Sequence, residues 1–170
     1  IIYEMQMWSN AAGDILSFKY YDASEDAILE IINTYEFVIN DIIGSLVDPE
    51  FYTTEFVTLS FANPTSSSVD INYSSNTAIA GFQFDIDGVT LLSASGGDAA
   101  EYGLSISFTS TVLGFSISGD TIPLGSGTLL SLEFTESSED QTLEVSNVVI
   151  SNSDGLSIQN SGPGSVEITT

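Results

Sequence analysis

The side chains of this chain that could do chemistry are carboxylates, and almost nothing else. There are 24 Asp and Glu against a single Lys, with no Arg, no His and no Cys, for a formal net charge of -23 over 170 residues. Without imidazole there is no ready general base near neutral pH. Without thiols there is no redox centre, soft metal ligand or disulfide. Without guanidinium there is no bidentate clamp for phosphate or carboxylate. Carboxylates can still hold a hard cation, and they fall into loop clusters: Asp22, Glu25 and Asp26; Asp85 and Asp87 beside Gly88; Asp98 and Glu101; Glu139 and Asp140. Calcium takes roughly six to eight oxygens, so two such loops would have to converge. Asp85 with Asp87 is the first expectation, because the turn constrains them, and Asp98 with Glu101 follows. The plainer alternative at each cluster is a solvated acidic loop. Paired carboxylates also run glycoside hydrolysis, but no spacing here sets two of them across an aromatic cleft. No enzyme is expected.

The charge also selects partners. It repels nucleic acid, which is held by Lys and Arg, and it repels anionic membrane surfaces. No apolar run is long enough for membrane insertion. Concentrated salt would screen the self-repulsion, which suits an extracellular or cell-surface setting. Hydrophobic residues make up 42% of the chain, so a packed core is expected rather than disorder. The chain does not begin with Met and carries no recognisable leader, so it reads as a processed chain or a piece of a longer one.

Alternation with a period of two runs through most of the sequence, as in half-buried strands. It is clear over Asp14 to Tyr21, Tyr35 to Asn40, Phe56 to Phe61 and Val69 to Tyr73. It continues over Ala80 to Ile86, Leu104 to Phe108, Val112 to Ile117, Thr128 to Phe134, Leu143 to Ile150 and Val166 to Thr169. Turn residues separate these runs, among them Asn63-Pro64, Asp87-Gly88, Gly96-Gly97 and Asp154-Gly155. Ser24 to Asn33 fits a short helix and an edge strand about equally, and Gly97 to Gly103 fits one helical turn. The pattern predicts an all-β protein. Its main part reads as a β-sandwich or barrel of many short strands, preceded by a small strand-rich segment.

Residues 54–170 hold enough strands for that sandwich, whereas residues 1–53 hold too few for an independent sheet domain. The first segment must therefore lean on the sandwich, complete a preceding domain or exchange strands with another subunit. Ile1, Ile2, Tyr3, Met5, Met7 and Trp8 form an apolar, β-prone stretch expected to serve as that bridging interface. Phe82, Phe84, Phe108, Phe115 and Phe134 alternate within strands and are assigned to the core. Tyr3, Trp8, Tyr20, Tyr21, Tyr35, Phe51 and Tyr52 concentrate in the first segment. They are read as seam anchors ahead of a sugar-stacking platform. Lys19 sits among acids and is expected in one ion pair.

Residues 54–170 resemble a cohesin-type domain. The resemblance rests on AIAGFQFDIDG (Ala78 to Gly88), VLGFSISG (Val112 to Gly119), TIPLGSGTLLSLEF (Thr121 to Phe134) and LEVSNVVI (Leu143 to Ile150), in that order. It covers about two thirds of the chain and implies a nine-stranded jelly roll that attaches to another protein, a dockerin, without catalysis. The calcium loop of a dockerin itself, D-x-[DN]-x-[DN]-G followed by Glu, is absent, so the chain would be the receptor side.

The leading expectation is thus a non-catalytic extracellular structural or assembly protein, a subunit joined to its neighbours by strand pairing and apolar contacts. A cohesin-like module docking another extracellular protein is the second expectation, and a carbohydrate-binding module the third. Calcium is the one cofactor considered. Because like-charged copies need screening or bridging, chelator or low salt is predicted to weaken any self-assembly.

Overall fold

A computed structural model describes residues 6–24, 26–45, 47–136 and 139–169. Ile1, Ile2, Tyr3 and Met5 of the expected bridging stretch, and Glu25 of the first acidic cluster, lie outside the described residues. The chain forms two compact units, Ile1–Glu55 and Phe56–Thr170.

In the first unit, β1 (Ile15–Asp22) and β2 (Ala27–Glu36) make an antiparallel hairpin with an irregularity at Ser17/Phe18. Asp22 shapes the turn, its Oδ1 accepting from the Ser24 backbone N–H at 2.9 Å and from the Ser24 hydroxyl at 2.6 Å. The open choice at Ser24 to Asn33 is settled as strand: Ile28, Ile31, Ile32 and Thr34 are β-branched, and β1 supplies a partner. A return segment lies along β2, with Ile32 N–H donating to Thr53 C=O and Glu55 N–H donating to Glu30 C=O. The run Tyr35 to Asn40 stops being strand after Glu36; Asn40 adopts φ 61°, a turn conformation that a strand cannot contain. Lys19 pairs with Glu30 across the hairpin at 2.5 Å.

Among its described residues the second unit contains ten strands and one helical turn. They are β3 (Phe56–Ala62), β4 (Ser68–Ser75), β5 (Gly81–Asp87), β6 (Leu91–Ser95), α1 (Gly97–Glu101), β7 (Ser105–Phe108), β8 (Thr111–Phe115), β9 (Gly125–Phe134), β10 (Gln141–Ser151), β11 (Ser157–Ser161) and β12 (Gly164–Ile168). Hydrogen bonding orders them β6-β9-β4-β3-β11-β10-β5-β8-β7, with β12 on the free part of β10. β11 turns the corner between two layers: Ser157 and Ile158 pair with β10, then Gln159 to Ser161 pair in parallel with β3. One layer is β6-β9-β4-β3 and the other is β12-β10-β5-β8-β7, giving the all-β sandwich that the alternation implies.

Among the described residues, 23 buried apolar side chains form one cluster between the layers. Val69, Ile71 and Tyr73 enter it from β4 and Phe82, Phe84 and Ile86 from β5, as the period of two requires. Phe134 is likewise buried, but Phe108 and Phe115 are more than one-third exposed and leave the core assigned to them. Phe108 lies opposite the inward-facing Val112 but on β7, the last strand of the layer, where it lines an open hollow. For Phe115 the reason lies in β8, whose inward positions are Val112 and Gly114. A Cβ at Gly114 would come within 2.2 Å of the Phe82 ring, so the ring occupies the space in which a side chain at 114 would sit. Leu113 and Phe115 consequently face outward.

Candidate binding surface

The register of β5 with its neighbours builds a surface row by row, because residues directly opposite in adjacent strands point to the same side of a sheet. Gln83 lies between Leu113 of β8 and Val149 of β10, and Ser107 of β7 extends that row beyond Leu113. Gly81 lies between Phe115 and Ser151. Leu113 (39% exposed), Phe115 (38%) and Val149 (48%) therefore stand together on the outer face, around a centre of only Gln83 and Gly81. Two residues further along β5 the character changes to acidic. Asp85 lies beside Thr111 and Ser146, and Asp87 lies directly opposite Glu144.

Asp85 is held by donors on both oxygens. The Thr111 hydroxyl donates to Oδ1 at 2.5 Å, and the Asn147 amide donates to Oδ2 at 2.8 Å. Asn147 reaches it from an irregularity in β10 between Ser146 and Val149, where its φ is 50°. The bond from Thr111, then that from Asn147, lowers the pKa of Asp85 below the ordinary carboxylate value, outweighing the opposing effect of burial. This carboxylate is therefore oriented and ionised while facing solvent. Glu144 opposite Asp87 puts like charges across a strand pair, an arrangement that is destabilising unless a cation is brought to it. No Lys, Arg or His occurs anywhere in Phe56–Thr170 to do so.

The other acidic pair has a different place. Asp98 and Glu101 belong to α1, and the Tyr73 hydroxyl donates to Asp98 Oδ2 at 2.7 Å. Gly127 leaves room for that bond, since a Cβ there would stand 2.3 Å from the same oxygen. Burial first, then the Asp98 bond, pushes the Tyr73 hydroxyl well above its usual pKa. Asp98 thus pins α1 to β4 beside Gly127 of β9, and Glu101 is exposed. Among the described residues, no three His, Cys, Asp or Glu side chains gather as a metal site would need. A hollow of about 330 Å³ lies near β5 and β7, lined by Ile86, Val89, Thr90, Leu91, Phe108, Thr109 and Ser110, none of them titratable. Of the expected bridging stretch, Met7 and Trp8 are described; neither is in a strand, and Trp8 is 82% exposed. Among the described residues no helix is long and apolar enough to cross a membrane.

The apolar patch itself escapes sequence reading. Leu113, Phe115 and Val149 look like core residues, and the one signal is that Val112 to Phe115 is apolar at both phases of the alternation, as a strand covered on both faces would be.

No family model matches the chain, and no curated protein matches it. Solved structures do. A chain of the CaDoc0917–CaCohA2 complex superposes with a TM-score of 0.51 at 18% identity, over 66% of this chain and 98% of that one. A non-cellulosomal cohesin from the hyperthermophilic archaeon Archaeoglobus fulgidus superposes with a TM-score of 0.50 at 13% identity, over 67% of this chain and 91% of that one. The sandwich is cohesin-like in fold over about two thirds of the chain.

Proposed function

We propose that the chain is a non-catalytic binding module working outside the cell, whose sandwich docks a dockerin-type protein on the outer face of the β12-β10-β5-β8-β7 layer. The observation that carries the reading is the exposed trio Leu113, Phe115 and Val149 beside the uncompensated acids Asp85, Asp87 and Glu144. Apolar side chains in the middle of a patch with charge at its margin are the usual anatomy of a protein interface. A partner that fits brings apolar anchors and at least one Lys or Arg. The cohesin-like fold, and the complex in which one such neighbour was crystallised, support docking over the purely structural subunit that the sequence put first. The absence of His, Cys and Arg, together with a hollow free of titratable groups, supports a function without catalysis.

Titration of the whole chain against a panel of dockerin domains by calorimetry tests this. At least one domain is expected to bind, and Leu113→Asp combined with Phe115→Asp is expected to weaken it ~1,000-fold, each anchor being worth ~2 kcal/mol. Both side chains are more than half covered, so some loss of thermal stability is expected, and a sheet signal by circular dichroism retained at the titration temperature shows that the variant is folded when binding is read. Failure of every dockerin to bind, or undiminished binding by the double variant, would reject the reading.

A further inference from the structure

We propose that the first unit is a self-association device, in which β1 of one copy pairs antiparallel with β1 of a second copy to join two hairpins into one sheet. Residues Ile15 to Tyr21 of β1 pair with β2 on one side and with no other strand among the described residues. That leaves a row of backbone donors and acceptors open along the strand, the arrangement that recruits another strand. The unit needs such a partner. Among its described residues Leu29 is the one buried apolar side chain, whereas Ile15 (66% exposed), Tyr21 (56%) and Ile28 (64%) stand in the open. Tyr21 and Ile28 are directly opposite each other, so they form one exposed apolar step on the hairpin. At ~150–250 Å² for a large aromatic side chain and somewhat less for an aliphatic one, each more than half exposed, Ile15, Tyr21 and Ile28 offer on the order of 300–400 Å². A standard interface buries ~800 Å² per partner, so these side chains supply under half of one and the paired backbone with its flanking residues supplies the rest.

The occupant is a second copy because of where the charge lies. Two chains of net charge -23 repel, so they meet where each is least acidic. Ile15 to Tyr21 reads ILSFKYY: it has no acid and contains the only cation of the chain, Lys19. Lysine on an edge strand usually discourages pairing by repulsion between copies. Here it is neutralised by Glu30 within its own hairpin, so pairing does not bring a bare cation against another. The pairing is isologous, and two-fold symmetry closes it at a dimer.

Sedimentation of the full chain tests this. A concentration-dependent dimer is expected in 0.5 M-range salt (Debye length ~4–5 Å) and a weaker one at low salt, since screening relieves the repulsion. Ser17→Asp with Tyr21→Asp adds acids to the edge and is expected to give a monomer with an unchanged sheet signal by circular dichroism. Leu113→Asp with Phe115→Asp, on the docking face, should leave the dimer intact. A monomer under every salt condition, a dimer that survives the β1 substitutions, or a dimer lost through the docking-face pair would each overturn the proposal. None of these outcomes bears on whether a dockerin binds the sandwich.

Discussion

The two outer faces of the sandwich share one core and differ in how they treat their polar groups. On β4 and β9 the outer side chains satisfy one another: Ser131 donates to Asp70 Oδ1 at 2.6 Å, Asn63 to Asp70 Oδ2 at 2.9 Å and Thr128 to Asn72 at 3.0 Å. Their neighbours on β3, Thr58 and Ser60, are small hydroxyls. The middle of that face is complete in water, and its exposed apolar side chains, Leu92 of β6 and Phe56 of β3, are confined to the flanking strands. On β5, β8 and β10 the outer side chains are Leu113, Phe115 and Val149, with Asp87 against Glu144. Folding alone would have favoured the first solution on both faces. The second leaves apolar area and like charges exposed together in the middle of the layer, and the proposed docking surface rests on this contrast more than on any single residue.

The contrast can be broken from inside or from either side. The largest effect should come from the shared interior. Phe84 is fully buried, and Phe84→Ala is expected to cost ~3–5 kcal/mol in denaturant unfolding, with both faces lost together. A change under 1 kcal/mol would mean that the layers do not pack as one core. A medium effect is expected from Tyr73→Phe on the β4 side, which removes the bond to Asp98 and should cost ~1 kcal/mol at neutral pH. Tyr73 holds its proton more tightly folded than unfolded, so its stabilisation is present below pH 10, near the ordinary tyrosine value, and is lost as pH rises through and beyond it. The wild type should therefore lose stability there faster than Tyr73→Phe does; parallel curves would show that the hydroxyl is not coupled to folding.

The smallest effect on stability is expected from Asp85→Asn on the β5 side. The pKa of Asp85 is lowered in the fold, so its contribution is present above about pH 4, the unfolded carboxylate value, and fades as pH falls through the folded value. The variant should lack that part of the acid decline. It should also slow association with a basic partner and blunt its salt dependence, read by stopped flow at two ionic strengths. Equal rates at both salts in the wild type would remove the acidic margin from the docking scheme.

Much of this layout is legible in the residues, and the exceptions have physical causes. VDINY and GFQFDI show their inward faces because one side is apolar and the other polar, so register and burial follow from the period alone. The strand β6 is hidden because its pairing slips between Leu91 and Ser93 and blurs the alternation of LLSAS. The strand β11 is hidden because SIQNS buries only Ile158 while it passes from one layer to the other. Phe115 is misplaced because alternation reports that residues differ in side, and cannot say which side is inside when both are apolar. The exposed apolar patch is invisible for the same reason. The acidic pairs are easy to find as sequence, yet their roles separate only in space, where Asp85 faces solvent and Asp98 anchors a helical turn.

The corner strand β11 has a consequence for how the molecule is made. It joins in parallel to β3, so the opening and nearly final strands of the sandwich must meet before the layers can close. A nascent chain leaving the ribosome holds β3 to β10 for some time without that clasp, and pairings so distant along the chain form slowly. Single-residue variants in Ser157–Ser161 should therefore reveal themselves as delayed maturation and chaperone dependence sooner than as a changed binding strength.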